Sequence, residues 1–123
     1  MPIQLEIFHP DRIAVIVARG HVTLDEYRDM LRQVVDADVV HYRKIIDSAG
    51  ADSESITIDV LLKADELTRH FGDRPRGPLA LVVDRARGDI ARAFQEQSTD
   101  RPVGVFGSIH EARAWLRTLP IVE

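Results

Sequence analysis

Cysteine is absent from this chain of 123 residues. The chain therefore contains neither disulfide bonds nor thiolate metal sites, although small secreted domains commonly depend on one or the other for stability. The absence of cysteine favours a protein of the reducing cytoplasm.

Long apolar runs are also lacking. A membrane-spanning helix needs about 18 or more consecutive apolar residues, and no stretch of this sequence approaches that length. The first twelve residues do not contain a basic segment followed by an apolar one. We therefore expect neither a secretory signal nor an integral membrane segment.

Positive charge is in deficit, with 16 basic against 20 acidic residues and a formal net charge of −4. Proteins that bind nucleic acid usually carry a basic surplus, so nucleic acid is not the expected partner. The glycines occur singly and form neither a phosphate-binding loop nor a dinucleotide fingerprint. The histidines show no spacing typical of metal ligands, and the sequence predicts no cofactor.

The composition, 45% hydrophobic and 29% charged, is that of an ordinary globular protein, and the length suits a single domain over residues 1–123. Residues 3–7 alternate between apolar and polar, whereas residues 13–18 are continuously apolar. This pattern predicts two strands that pair antiparallel across the turn at residues 9–12.

Alternating helices and strands are predicted for the rest of the chain. Thr23 and Glu26 match a capping box that starts the first helix, and Ser108 and Glu111 match a second one near the end. A third strand is expected at 42–47, a polar loop at 48–55, and a second helix from about 56 or 58 to about 72. Further strands are expected at 79–83 and 103–106, with a short helix between them.

The predicted order is β-β-α-β-α-β-α-β-α. Apolar strands that each precede a helix indicate an α/β fold with an N-terminal hairpin, a mainly parallel five-stranded sheet and four helices. In the last helix, Trp115 shares a face with Ala112 and Leu116, so we expect its ring to be buried against the sheet.

Several segments resemble the STAS domain of the anti-sigma-factor-antagonist type, and the resemblance spans nearly the whole chain. They are Arg43 to Ser48 (RKIIDS), Gly77 to Val83 (GPLALVV), Arg101 to Phe106 (RPVGVF) and Glu111 to Leu116 (EARAWL). These segments resemble those of the stand-alone bacterial SpoIIAA-like proteins. The resemblance implies a non-catalytic regulatory or protein-interaction module with a protein partner.

Some members of that family are phosphorylated by a partner kinase on a Ser or Thr at the start of the second helix. In this chain Ser53, Ser55 and Thr57 lie in that neighbourhood, but the family's Ser-Ser-Gly-like motif is missing. The candidate contact surface and possible phospho-switch, called the contact loop below, comprises Asp47, Ser48, Asp52, Ser53, Ser55 and Thr57. A homodimer is left open.

Two alternatives compete with the interaction module. The first is a carrier or sensor of a small apolar or anionic ligand, which requires a cavity lined by residues such as Leu61, Leu62 and Phe94. The second is an enzyme that uses Asp47 and Asp84, since the carboxyl ends of parallel strands are common ligand sites. Asp52, Glu54 and Asp59 could join the same acidic rim, although strand-end aspartates often only cap loops.

A cluster of arginines in the middle of the chain is a further candidate for binding an anion. If several shared a face they could meet a phosphate or an acidic partner, and otherwise neighbouring carboxylates balance them in solvent. The arginines are Arg69, Arg74, Arg76, Arg85, Arg87, Arg92 and Arg101.

Overall fold

The structure, a computed structural model, describes residues 3–52, 57–69, 75–98 and 100–120. Its centre is a mixed five-stranded sheet in which the order of the strands is the order along the chain. The first two strands pair antiparallel and the others are parallel, which confirms the predicted α/β architecture. The strands are β1 (Ile3–Phe8), β2 (Ile13–Gly20), β3 (Arg43–Ala51), β4 (Leu79–Val82) and β5 (Val103–Phe106).

Four helices surround the sheet, and a single 3-10 turn, Arg85–Arg87, precedes the third of them. Both predicted helix starts are confirmed, because the side chains of Thr23 and Ser108 accept hydrogen bonds from the backbone N–H groups of Glu26 and Glu111. The expected end of the second helix, near residue 72, lies outside the described residues. The helices are α1 (Leu24–Asp36), α2 (Ile58–Arg69), α3 (Gly88–Gln97) and α4 (Ile109–Leu116).

Two separate cores form because successive strand residues point to opposite faces of the sheet. On one face, α1, α2 and α3 cover a core that includes Ile16, Leu81 and Phe94. On the other face, α4 covers a smaller core that includes Ile45 and Leu116. The two faces of the sheet are therefore covered unequally, one by three helices and the other by one.

Trp115 packs against the smaller core but is only half-buried, so the prediction that it is buried against the sheet overestimated its burial. Ala112 and Leu116, one helical turn apart, are the residues of α4 that point straight at the sheet and are fully buried. Trp115 lies beside them, and its ring contacts Phe106 of β5 with 5.4 Å between the ring centroids. Because β5 is the edge strand, one side of the indole stays open to solvent.

The third strand is longer than predicted and continues through Ala51. The small residues 48–51 remain extended because β2 also continues beside them after a register shift, which pairs Arg19 with Gly50 and Gly20 with Ala51. The expected loop is therefore strand over its first four residues. Since the pairing of β4 with β3 ends at Asp47, residues 19–20 and 48–51 extend beyond β4 as a two-stranded projection, called the β2–β3 projection below.

Gly77 precedes β4 and lies against the backbone that leads into β3. Its N–H donates a 3.0 Å hydrogen bond to the carbonyl of Val40. A Cβ at this position would overlap the carbonyl oxygen of Tyr42 and would lie 2.5 Å from that of His41. Glycine is required here because the two chain segments approach too closely for any side chain.

We therefore expect Gly77→Ala to lower the free energy of unfolding by at least about 2 kcal/mol, because backbone atoms must move to admit the methyl group. Gly88→Ala is the matched control, since nothing lies within 4 Å of its Cβ position at the start of α3. That change should be neutral or stabilising by up to about 1 kcal/mol. Equal urea midpoints for the two variants would contradict the assignment.

Candidate functional site

The first two residues of the contact loop are engaged in local structure. Asp47 is half-buried, and its carboxylate accepts a 3.2 Å hydrogen bond from the backbone N–H of Ala49. Ser48 is buried, and its hydroxyl donates to the carbonyl of Val82 at 3.2 Å. The carbonyl of Ser48 in turn accepts a 3.0 Å hydrogen bond from Arg87. These groups hold β3 against the end of β4.

The remaining described residues of the contact loop lie nearer to solvent. Asp52 is exposed at the end of the β2–β3 projection, and its carboxylate lies 3.9 Å from Nδ1 of His21. Thr57 is half-buried directly before α2, where its carbonyl accepts a 3.1 Å hydrogen bond from the N–H of Leu61. Ser53 and Ser55 lie outside the described residues.

The aspartates of the enzyme alternative also have local partners. The Asp84 carboxylate lies 3.6 Å from Arg87 and borders an open groove of about 500 Å³, which Asp89 and Glu111 also line. Asp47 does not line this groove, and Asp59 pairs with Lys63 on the exposed side of α2. Over the described ranges, no group of three or more His, Asp or Glu side chains is placed to hold a metal ion.

No helix of the described chain combines the length and apolar character needed to cross a membrane.

An internal cavity lies between the sheet and the three helices of the larger face. Leu61 and Phe94 line it together with apolar residues of α1 and of the central strands, whereas Leu62 packs against the surrounding core without lining it. Its volume is about 40 Å³. A buried water needs about 10 to 15 Å³ on this measure, so the cavity has room for about three. Among the described residues of its wall, Lys44, Asp65 and Arg101 are charged.

Asp65 is the centre of a buried ion cluster beside this cavity. Its side chain, on α2, is 1% exposed and accepts hydrogen bonds from Arg76 at 2.5 Å, Arg101 at 2.7 Å and Arg69 at 2.9 Å. Arg76 also binds the carboxylate of Asp100 through Nε at 3.0 Å and Nη2 at 2.6 Å. Three elements that are distant in the sequence therefore meet at one carboxylate.

The pKa values in the cluster follow from a competition between burial and pairing. Burial alone would raise the pKa of Asp65, but the hydrogen bond from Arg76 and the charges of Arg101 and Arg76 outweigh it and lower the pKa. For Arg101, burial and the charge of Arg76 outweigh its pairing with Asp65, and the pKa falls to about 10. The cluster therefore holds Asp65 ionised, whereas Arg101 is incompletely compensated.

Lys44 lies in β3 on the cavity side and is 3% exposed. Its Nζ donates to the carbonyl of Tyr42 at 3.0 Å and to that of Val40, and no carboxylate of the described chain pairs with it. Burial, followed by the charges of Arg101 and Arg76, holds the pKa of Lys44 well below its ordinary value. Burial thus disfavours the charged form of this amine.

Sequence reasoning missed this cluster, although two signals were present. Lys44 lies within a strand of a parallel sheet, where a side chain is expected to be buried and a lysine is therefore unusual. Asp65 follows Leu61 by four residues and therefore lies on the buried side of α2. Of the seven arginines singled out, the structure places Arg69, Arg76 and Arg101 on Asp65.

Removal of the central carboxylate should destabilise the fold. Asp65→Asn leaves Arg76 and Arg101 buried without their shared counter-charge, and we expect a loss of about 3 to 5 kcal/mol of unfolding free energy. Asp59→Asn on the same helix breaks only the exposed pair with Lys63 and should cost less than about 1 kcal/mol. Similar denaturant midpoints for the two variants would show that the cluster is not a stabilising contact.

Lys44 should give the protein a characteristic dependence of stability on pH. Because the pKa is lower in the folded chain than its ordinary value of 10.5, the unfolded chain binds more protons between the two values, and stability rises with pH in that window. In the pH range directly below 10.5 we expect stability to rise with pH, with a slope of up to about 1.4 kcal/mol per pH unit for the one proton involved. Lys44→Met should lose this contribution, and parallel stability profiles for both proteins would contradict the lowered pKa.

The sequence matches no protein-family model and no curated protein. Solved structures do match it. The unphosphorylated form of the anti-sigma factor antagonist SpoIIAA superposes with a TM-score of 0.61 at 16% identity, covering 95% of this chain and 99% of that one. An uncharacterized DUF3478-family protein from Shewanella loihica PV-4, described as having a SpoIIAA-like fold, gives 0.62 at 17% identity over 93% and 91%. The architecture that the sequence resemblance implied is thereby confirmed, and this chain has the SpoIIAA-like fold.

Proposed function

We propose that this chain is a non-catalytic regulatory module of the cytoplasm that acts by binding another protein. The observation that carries the proposal is the fold, which the chain shares over 95% of its length with an anti-sigma factor antagonist. Such an antagonist acts through protein contacts. The strand-end aspartates support the same conclusion, since Asp47 and Asp84 each have a local structural partner and do not share a groove.

The proposed contact surface is the β2–β3 projection together with the start of α2. Arg19, Gly20, Ala49 and Gly50 are exposed there, and Asp52 follows directly. These residues extend beyond the end of β4 on a backbone fixed by pairing between β2 and β3. Binding residues are commonly found on segments that a rigid scaffold holds out into solvent in this way.

A phospho-switch at Ser53, Ser55 or Thr57 would act on this same surface. A phosphate added there brings about two negative charges close to the first turn of α2, which begins at Ile58. The unpaired N–H groups and the positive dipole end of a helix start stabilise a phosphate or a partner's carboxylate. Modification would therefore change the charge of the surface that the partner meets.

A second proposal is that the chain also binds a small molecule in the cavity between sheet and helices. The specific observation in its favour is that Leu61 and Phe94 line a cavity bordered by buried charged groups. The two proposals concern different sides of α2 and do not compete.

The contact surface is tested by the double substitution Ser55→Asp and Thr57→Asp, which mimics the added charge. We expect a melting temperature within a few degrees of the wild type, because surface changes usually alter stability little, together with a changed set of captured proteins. Affinity capture followed by mass spectrometry provides the measurement. Identical partners for the wild type and the double variant would contradict the switch.

Two single substitutions show where the partner binds. Asp52→Arg reverses a charge at the end of the β2–β3 projection, whereas Asp29→Arg makes the same change on the exposed side of α1. We expect at least about tenfold weaker binding of the captured partner for Asp52→Arg, equal to about 1.4 kcal/mol, and wild-type binding for the control. Loss of binding in both variants, or in neither, would place the contact elsewhere.

A further inference from the structure

Strand β1 forms one edge of the sheet and pairs with β2 on one side only. The pairing keeps one register from Ile3, opposite Ala18, to Phe8, opposite Ile13. Natural proteins usually protect such an edge with proline, lysine, a bulge or a covering segment, because an open edge can pair with another chain. Residues 3–8 contain neither proline nor lysine, and their register has no bulge. The edge of β1 therefore lacks these protective features.

The opposite edge, formed by β5, is protected. This strand has only four residues, and α3 packs against it. Gln95 of α3 donates from Nε2 to the carbonyl of Val103 at 2.6 Å. Because the neighbouring carbonyl of Pro102 bonds to Leu79 of β4, the carbonyl of Val103 points to the outer side, where Gln95 occupies it. The two edges of the sheet therefore differ in their capacity to pair with another strand.

The hydrogen-bond pattern identifies the backbone groups of β1 that face outward. The N–H of Arg43 donates to the carbonyl of Arg12 at 3.0 Å, so the even-numbered residues at the start of β2 bond to β3. The odd-numbered residues of β2 then bond to β1, where their partners are even-numbered. The N–H and C=O groups of Ile3, Leu5 and Ile7 consequently point away from the sheet, and within the described chain they have no hydrogen-bond partner.

The side chains of β1 are arranged symmetrically about Leu5. From residue 3 to residue 7 the strand reads Ile-Gln-Leu-Glu-Ile. Leu5 and Ile7 are half-buried against the larger core, whereas Gln4 and Glu6 are exposed on the opposite face of the sheet. A strand with this order is complementary to an antiparallel copy of itself, because apolar residues meet apolar ones and an amide meets a carboxylate.

We propose that two copies of this chain form a dimer by antiparallel pairing of β1 with β1 about a twofold axis at Leu5. In this register Leu5 lies opposite its counterpart, Ile3 lies opposite Ile7 of the second copy, and Gln4 lies opposite Glu6. The outward N–H and C=O groups of the two strands bond to each other, and the two sheets become one continuous sheet. Pairing of identical surfaces about a twofold axis is the commonest form of protein dimer.

Other registers fit less well. A shift by one residue would set the outward backbone groups of one strand opposite groups of the other that already bond to β2. A shift by two residues would shorten the paired segment and place either Glu6 opposite Glu6 or Gln4 opposite Gln4. Like charges directly opposite each other are destabilising, so the twofold axis at Leu5 gives the best match.

The dimer leaves the contact loop free, because none of the residues of that loop belongs to β1. The proposal therefore goes beyond the partner-binding function and does not depend on it. The paired segment is short, and interfaces of small area are commonly transient. We expect a dimer that dissociates on dilution.

Sedimentation velocity over a dilution series tests the dimer and its register. The wild type should pass from monomer to dimer as its concentration rises. Gln4→Lys places two new ion pairs with Glu6 across the axis and should tighten the dimer at least about threefold. Gln4→Glu places carboxylates opposite each other and should weaken the dimer at least about threefold.

Matched controls use Gln33, which is exposed on α1. Gln33→Lys and Gln33→Glu make the same changes of charge away from β1 and should dimerise like the wild type. Urea unfolding of dilute samples checks that the four variants keep a folded monomer. Asp52→Arg, which alters the contact surface, should also leave the dimer unchanged.

Amide hydrogen exchange identifies the paired strand directly. The amides of Gln4 and Glu6 bond to β2 within each chain and should be protected at every concentration. Those of Leu5 and Ile7 face the second copy and should become protected only at concentrations where the dimer forms. This alternation along one strand is expected only for pairing at its outer edge.

Three results would overturn the proposal. The first is a chain that stays monomeric at the highest concentration measured. The second is a dimer in which the amides of Leu5 and Ile7 exchange as fast as in the monomer, since the contact would then lie elsewhere. The third is an equal response to the substitutions at Gln4 and at Gln33, because the register would then not place Gln4 opposite Glu6.

Discussion

The buried salt bridge between Asp65 and Arg76 ties α2 to the segment that leads into β4. Both side chains are nearly inaccessible, with 1% and 3% of their surfaces exposed, so both charges have lost their water. Desolvation of that kind is repaid only where the geometry is close and further hydrogen bonds satisfy the remaining polar atoms. Arg101, Arg69 and Asp100 supply those bonds. Helix α2 is therefore held by this ionic contact as well as by the packing of Leu61 in the larger core.

Local patterns allowed most of the fold to be predicted. Alternation in residues 3–7, capping at Thr23 and Ser108, and apolar runs that precede helices depend on neighbours within a few residues, and the structure confirms the elements that they predicted. The extension of β3 through Ala51 was missed because alanine and glycine have low strand propensity, and pairing with β2 overrides that preference. The burial of Trp115 was overestimated because helical spacing identifies a face but does not locate the edge of the sheet.

The ion cluster was the least predictable part of the candidate site. Lys44, Asp65, Arg76 and Arg101 are separated by 11 to 57 positions, and only the parallel crossovers bring them to one end of the sheet. For the contact loop, the sequence placed Asp52 and Thr57 near the same end of the sheet. It did not predict that the hydroxyl of Ser48 donates a hydrogen bond to the carbonyl of Val82 in β4. Helix α2 spans both regions, since it begins beside the contact loop and carries Asp65 two turns later.

The agreement between strand order and chain order has a consequence for how the molecule assembles. No strand inserts between two others, so each new βα unit adds at the growing edge of the sheet. The helices that connect parallel strands cover one face as they form. The other face, with Ile13, Val15, Ile45, Ala80 and Val82, receives its cover only from α4, the last helix described. During synthesis this apolar face stays open until α4 has formed, when Arg43 binds the Leu116 carbonyl and fixes α4 in place. A chain interrupted before α4 would expose this apolar face of the sheet. The formation of α4 is therefore the step that protects the nascent protein from aggregation.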